Sequence, residues 1–187
     1  MTTTPAAAKP LRVDAQRNYD AVLAAGKSVF ARSGTDAPLE DIGREAGVGR
    51  GTLYRHFPTR EHLFAAIMKE RVDFLEATAQ RLLGAPDAWE ALTEWLSLYD
   101  QSFMEFGGMK DRIGHDADDD ESPVTSMCAP MRSSFALLFD RAQKEAGVRS
   151  DITAVQVLGM ITALPKHPQG GETVSPYLDI VFSGLRD

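Results

Sequence analysis

From Asp14 to Leu185, apolar residues recur three and four positions apart, in segments that Gly or Pro punctuates. That spacing lays apolar side chains along one face of an α-helix, whereas a half-buried strand needs a period of two. No stretch alternates in that way between hairpin turns, and no repeat of 20 to 50 residues is present. The chain is therefore expected to be all-α: a three-helix N-terminal head, a long connecting helix, and a C-terminal helical bundle.

Residues 1–13 (MTTTPAAAKPLRV) lack apolar period and read as a flexible tail, in which Lys9 and Arg12 could reach a phosphate backbone. Val22, Gly26, Val29 and Phe30 mark a first helix that Gly34 closes. Pro38 suits a first helical position, and Leu39, Ile42 and Ala46 follow as a short second helix that ends at Gly47. Leu53 and Phe57, between Gly49 and Pro58, mark a third of barely two turns. Thr59 can cap a fourth, whose Leu63, Phe64, Ile67, Phe74, Leu75 and Leu82 continue to about Gly84, roughly 37 Å at ~1.5 Å per residue. Trp89 to Phe106 form another, ending at Gly107-Gly108. Residues 108–123 carry Asp116, Asp118, Asp119, Asp120 and Glu121 without apolar period and read as an acidic loop. Met131 to Ala142 restore a helix that Gly147 ends; Asp151 can cap the next, which runs through to Leu164, and Ser175 to Leu185 closes the chain. The expected divisions are a tail (1–13), a head (14–58), and a connecting helix with its body (59–187).

With 43% hydrophobic and 25% charged residues, the composition is that of a folding globular chain. No window approaches the ~18 apolar residues of a membrane helix, and the N-terminus lacks the apolar run of a secretory signal, so a cytoplasmic protein is expected. Cys128 is the single cysteine, which excludes intrachain disulfides and multi-cysteine zinc sites. The net charge of −7 is divided unevenly: residues 1–70 hold 10 basic and 8 acidic residues, and residues 71–187 hold 10 and 19. A basic head on an acidic body gives such a split, as does an ordinary solvated surface.

The stretch LEDIGREAGVGRGTLYRHF, Leu39 to Phe57, has the spacing of a helix-turn-helix. In that arrangement Ile42, Ala46 and Val48 pack against Leu53 and Phe57, and small residues let the two helices approach. The outer face of the third helix then presents Arg50, Thr52, Tyr54, Arg55 and His56, nearly all hydrogen-bond donors, to a groove ~12 Å wide. An ordinary helical hairpin with a polar outer face would have the same spacing.

Arg17 to Leu63 resembles the DNA-binding head of the TetR family of bacterial repressors, above all in GVGRGTLYRHFPTREHL, with Val29-Phe30 to Gly34 and Asp41-Ile42. Ala146 to Leu164 more loosely resembles that family's penultimate-helix region. The resemblance implies a homodimer whose last two helices form the interface, double-stranded operator DNA as partner, and a small-molecule effector held in the body. It implies that Arg50 and Tyr54 face bases, that Thr52, Tyr54 and His56 hold phosphates or sugars, with Gly51 and Arg55 on the same face, and that Arg60 stands in place of a phosphate-binding Lys. Two departures are Ala37-Pro38, in place of a capping Ser or Thr, and Gly49, in place of a frequent Ser.

Trp89, Trp95, Tyr99, Phe103, Phe106, Met127, Met131, Phe135 and Phe139 are the candidates to line an effector pocket; a plain core would use the same residue types. Val155, Leu158, Ile161, Ile180, Val181 and Leu185 put apolar stripes on the last two helices, with too little remaining chain to cover both, which points to a second subunit. Other chemistry finds little support. His56, His62, His115 and His167 are scattered, and Asp116, Asp118 and Asp120 imitate a calcium loop in which Glu121 stands where Gly is needed and Met127 where the bidentate Glu should be. Ser133, Ser134 and Cys128 have no nearby His or Asp to activate them, and no phosphate-binding Gly loop follows a strand. No enzyme, cofactor or metal is expected. The expected function is a repressor that reads a near-palindromic operator and is released by an effector. The alternatives are a small-molecule-binding protein whose head contacts another protein and, last, a metal-dependent hydrolase using His115 and the acidic loop.

Overall fold

The computed structural model describes residues 9–102, 122–164 and 176–186. Among these are eight helices, α1 (Lys9–Ser33), α2 (Leu39–Glu45), α3 (Arg50–His56), α4 (Arg60–Leu82), α5 (Ala88–Ser102), α6 (Pro123–Glu145), α7 (Ala154–Ala163) and α8 (Pro176–Leu185), and no strand beyond an isolated bridge between Val148 and Arg186. The all-α expectation holds. Two compact units divide between Ile67 and Met68, inside α4 and beyond the expected boundary at 58. The reason is that Leu63, Phe64 and Ile67 of α4 pack into the first unit.

In the first unit, Val22, Ala25, Val29 and Phe30 form the buried stripe of α1. Gly26 brings that helix onto α4, since a Cβ there would lie 2.7 Å from the Ile67 Cδ1. Residues 9–13, expected in a flexible tail, are instead the first turn of α1; Pro10 is admissible there because first-turn N–H groups have no helical partner to lose. Gly34 (φ +79°) donates to the Phe30 carbonyl at 2.9 Å and closes the helix. Pro38 is the N-cap of α2, not its first residue.

The turn after α2 is specified bond by bond. Gly47 takes φ +66°, its N–H donates to the Arg44 carbonyl, and the Val48 N–H donates to the Gly43 carbonyl at 2.9 Å. This is the Schellman pairing, which satisfies two terminal carbonyls and needs a left-handed residue at Gly47. Gly49 then enters α3 in extended conformation. Leu53 and Phe57 are 1% and 2% exposed and Ile42 is fully buried, while Ala46 and Val48, expected beside them, are half-buried. Gly43 is what allows the approach: a Cβ there would lie 3.0 Å from the Leu53 Cδ2 and 3.4 Å from the Val48 carbonyl oxygen.

The second unit is built around an aromatic stack. Trp95 of α5 lies between Tyr99 (centroids 5.3 Å, 16°) and Phe135 of α6 (4.4 Å, 22°), and Phe135 meets Phe139 at 6.0 Å. The buried indole N–H donates to the Leu75 carbonyl of α4 at 2.8 Å, and the Arg141 guanidinium donates to the carbonyls of Leu82, the last residue of α4, and of Leu83 just after it. Tyr99 pairs with Thr162 of α7 at 3.1 Å, and burial pushes its phenol up to about 12. α6 begins at Pro123, well before the Met131 stripe, and carries Pro130 without ending. α7 is capped by Thr153 in a capping box with Gln156, not by Asp151, whose carboxylate pairs with Arg149. The expected acidic loop, with His115 and Asp116 to Glu121, and the Pro/Gly connector with His167 lie outside the described residues.

Gly43→Val should wedge α2 from α3 and lower the stability of the first unit by about 1–3 kcal/mol, read as a shifted urea midpoint. Gly49→Ser, at a position where a Cβ meets nothing within 4 Å, should raise it by a few tenths of a kcal/mol through a new cap. Equal midpoints for the two variants would contradict this account of the turn.

Candidate nucleic-acid interface

α3 is anchored on its inner face and open on its outer one. Besides Leu53 and Phe57, the Tyr19 ring of α1 stacks on Phe57 (5.1 Å, 29°) and meets the His56 edge at 5.9 Å. With the middle and the C-terminal end of so short a helix fixed, its outer side chains occupy set positions. Arg50, Gly51 and Arg55 are exposed, and Thr52, Tyr54 and His56 are half-buried. All six residues expected on this face are therefore solvent-accessible on one short helix.

Their electrostatics were not legible in the sequence. The Tyr54 hydroxyl donates to the Glu40 Oε1 of α2 at 2.8 Å, and the Arg50 Nη2 lies 3.5 Å from the same oxygen. The Arg50 guanidinium sits 5.6 Å above the Tyr54 ring centre. The Tyr54 hydrogen bond, with help from the Glu40 backbone N–H, holds the Glu40 carboxyl below the usual range, and the same bond raises the Tyr54 phenol. Arg60 pairs with Asp36 at 3.4 Å and is only 28% exposed. Arg55 makes no ion pair among the described residues, which makes it a freely presented cation. Neither α2 nor α3 has a side-chain cap, in keeping with Pro38 and Gly49 at those positions. The Thr59 hydroxyl accepts from the His62 N–H at 3.5 Å, a long bond at the start of α4.

The expected pocket residues fall into three groups. Trp95, Tyr99, Met131, Phe135 and Phe139 are at most 3% exposed and fill the core against one another. Trp89 and Met127 are half-buried, and Phe103 and Phe106 lie outside the described residues. Trp89 meets Phe182 edge-on and carries the Arg186 guanidinium 4.8 Å above its ring. It also lines a cavity of about 250 Å³ with Pro86, Asp87, Ala88, Glu145, Ala146 and Arg186; of the nine candidates it is the one found there.

The terminal stripes also divide. Leu158, Ile161, Val181 and Leu185 are buried by their own chain, so the partner expected to cover them is not needed for that purpose. The chain does more covering than its length alone implied, because α5 and α6 pack on α7. Val155 and Ile180 are 68% and 70% exposed, together with Met160 and Tyr177, which the stripe had missed. Among the described residues no cluster of His, Cys, Asp and Glu could hold a metal ion, and no helix is long and apolar enough to cross a membrane.

Comparison with known proteins agrees with this geometry. Residues 22–67 match the model of bacterial regulatory proteins of the tetR family, and residues 87–187 match the C-terminal domain of SbtR-like transcriptional regulators. The crystal structure of the TetR regulator SCO0520 from Streptomyces coelicolor is 34% identical, with 90% of this chain and 98% of that one covered and a TM-score of 0.55. A TetR regulator from Mycobacterium vanbaalenii is 30% identical over 95% and 100% of the two chains, with a TM-score of 0.54. The regulator SrpR of Pseudomonas putida is 33% identical over 46% of this chain, and the match spans 40% of SrpR. These relatives are transcriptional regulators, not enzymes, and the chain belongs to the TetR family of transcriptional regulators with a helix-turn-helix DNA-binding domain.

Proposed function

We propose that the protein is a cytoplasmic homodimeric repressor that places α3 of each subunit in successive major grooves of a near-palindromic operator and is released by a small-molecule effector. The observation that carries this reading is the outward row Arg50, Thr52, Tyr54, Arg55 and His56 on a helix fixed from behind by Leu53, Phe57 and Tyr19. Arg50 and Tyr54 read base edges; Thr52, His56 and Arg60 position the backbone, with Gly51 leaving room for close approach. Selection of bound sites from random duplexes tests it, because a palindrome reports DNA binding, dimerisation and half-site spacing together. On the selected operator, Arg50→Ala or Tyr54→Ala should relax sequence preference. Arg60→Ala should weaken all duplexes alike and reduce the salt slope by about one unit. A change of preferred sequence in Arg60→Ala would refute these roles.

The second subunit docks on the exposed apolar residues of α7 and α8: Val155, Met160, Tyr177 and Ile180. Homodimers are typical of the family, and a two-fold contact uses one such patch twice. Because Val155 lies outside its own core, Val155→Glu should leave the subunit folded and weaken association by about 3 kcal/mol, yielding monomer in sedimentation velocity. A mutant that remains as dimeric as its parent would exclude this face.

The effector site lies in the second unit, between Trp89 and Phe139. The half-buried Trp89 and Met127 are the described candidates to touch the ligand, and the packed rings of Trp95, Tyr99, Phe135 and Phe139, with Met131, form the wall behind it. Operator release is a population shift, so ligand and DNA must weaken each other equally. A small aromatic effector at ~100 times its Kd should stabilise the fold by about 2.7 kcal/mol, alter Trp fluorescence and loosen the operator about 5- to 150-fold. Ligands that raise the melting temperature without changing operator affinity would rule out this switch.

A further inference from the structure

Glu40 belongs to no set of expected DNA contacts, yet the recognition face closes on its carboxylate. One oxygen, Oε1, accepts from the Tyr54 hydroxyl at 2.8 Å and lies 3.5 Å from the Arg50 Nη2, and the guanidinium in turn stands over the Tyr54 ring. The three side chains form a closed triangle between the first turn of α2 and the first five residues of α3. The Glu40 and Arg50 side chains are 46% and 77% exposed, and pairs so exposed add little to stability. Fold maintenance therefore does not account for the cluster. What it does change is the state of Arg50 and Tyr54 before DNA arrives.

We propose that Glu40 is a specificity-determining positioning residue, which holds Arg50 and Tyr54 in one orientation and makes any phosphate compete with its carboxylate for their donors. The inference rests on the DNA reading above. A guanidinium has five N–H donors in a rigid fork, and Glu40 lies near Nη2, which carries two of them, so a neutral base edge can accept bidentately from the remaining N–H groups without breaking the pair and without charge repulsion. A phosphate can accept from the same N–H groups, but it carries a negative charge that the Glu40 carboxylate repels and whose attraction to Arg50 that carboxylate already offsets. Removal of the carboxylate therefore favours non-operator DNA more than operator.

The test uses the full chain, its selected operator and a scrambled duplex of equal length. Glu40→Gln, which keeps an oxygen for Tyr54 and removes the charge, should raise scrambled-duplex affinity about fivefold and operator affinity less than twofold, with the melting temperature unchanged. Glu40→Ala should lower the operator-to-scrambled ratio further, by about tenfold, because Tyr54 and Arg50 also lose their common anchor. In a Tyr54→Phe background Glu40→Ala should have a smaller effect on that ratio, since one bond links the two residues. A ratio unchanged in both Glu40 variants, or a shift equal for the two duplexes, overturns the role of Glu40 alone, provided the unmutated protein selects a site. An unmutated protein that selects no site overturns the DNA reading and this proposal with it.

Discussion

How closely α3 can lie against α2 decides what the first unit can present, and the contact of Leu53 with Gly43 sets that closeness. A Cβ at Gly43 would already press on the Leu53 side chain and the Val48 carbonyl, so the helices meet there backbone against side chain. The same glycine supplies the carbonyl that receives the Val48 N–H in the turn. One residue thus serves both packing and turn closure, and Gly47 supplies the left-handed step between them. A seven-residue helix has little intrinsic stability and owes its place to its anchors. The Tyr19–Phe57 stack fixes its C-terminal end as Leu53 fixes its middle.

The second unit solves a different problem, that of joining helices distant in sequence without leaving buried polar atoms unpaired. Trp95 does this with its ring and its N–H together. The ring bridges α5 to α6, and the N–H reaches a carbonyl in mid-α4. Arg141 and the Tyr99–Thr162 pair act similarly, each linking a polar group on one helix to a polar group of another segment. These polar links fix register among helices whose apolar stripes alone would tolerate sliding.

The helices were legible in the sequence because Gly and Pro punctuate a strong three-to-four period, and the outward row on α3 was legible because Leu53 and Phe57 define its opposite face. Legibility failed where a breaker residue stands in a permitted place. Pro10 in a first turn concealed the start of α1, and Pro130 concealed the early turns of α6. It failed again where one stripe admits two explanations. Apolar spacing says that a face is covered but not by what, so Leu158 and Val181, buried within the chain, resembled Val155 and Ile180, which are exposed. Trp95 and Phe135 fit a pocket wall and a core equally well until their stacking was seen. Glu40 escaped altogether, because residues fourteen apart share no helical face and meet only through the turn at Gly47.

The ion pairs around α3 change how its cations must be valued. Counted from sequence, Arg50 and Arg60 are two positive charges for a phosphate surface. In the folded unit each already faces a carboxylate, Glu40 or Asp36, so in the proposed complex a phosphate contact competes with a charge-assisted contact that already exists. On that reading the affinity gained per cation is the difference between two contacts, smallest for a phosphate, whose charge the neighbouring carboxylate repels, and less reduced for a neutral base edge. Arg55, which has no ion-pair partner among the described residues, would keep its full attraction for any duplex in the proposed complex. If Arg50 and Arg60 contact DNA as proposed, a head with a modest surplus of positive charge discriminates better than that surplus implies, since its internal carboxylates offset the attraction that every sequence shares.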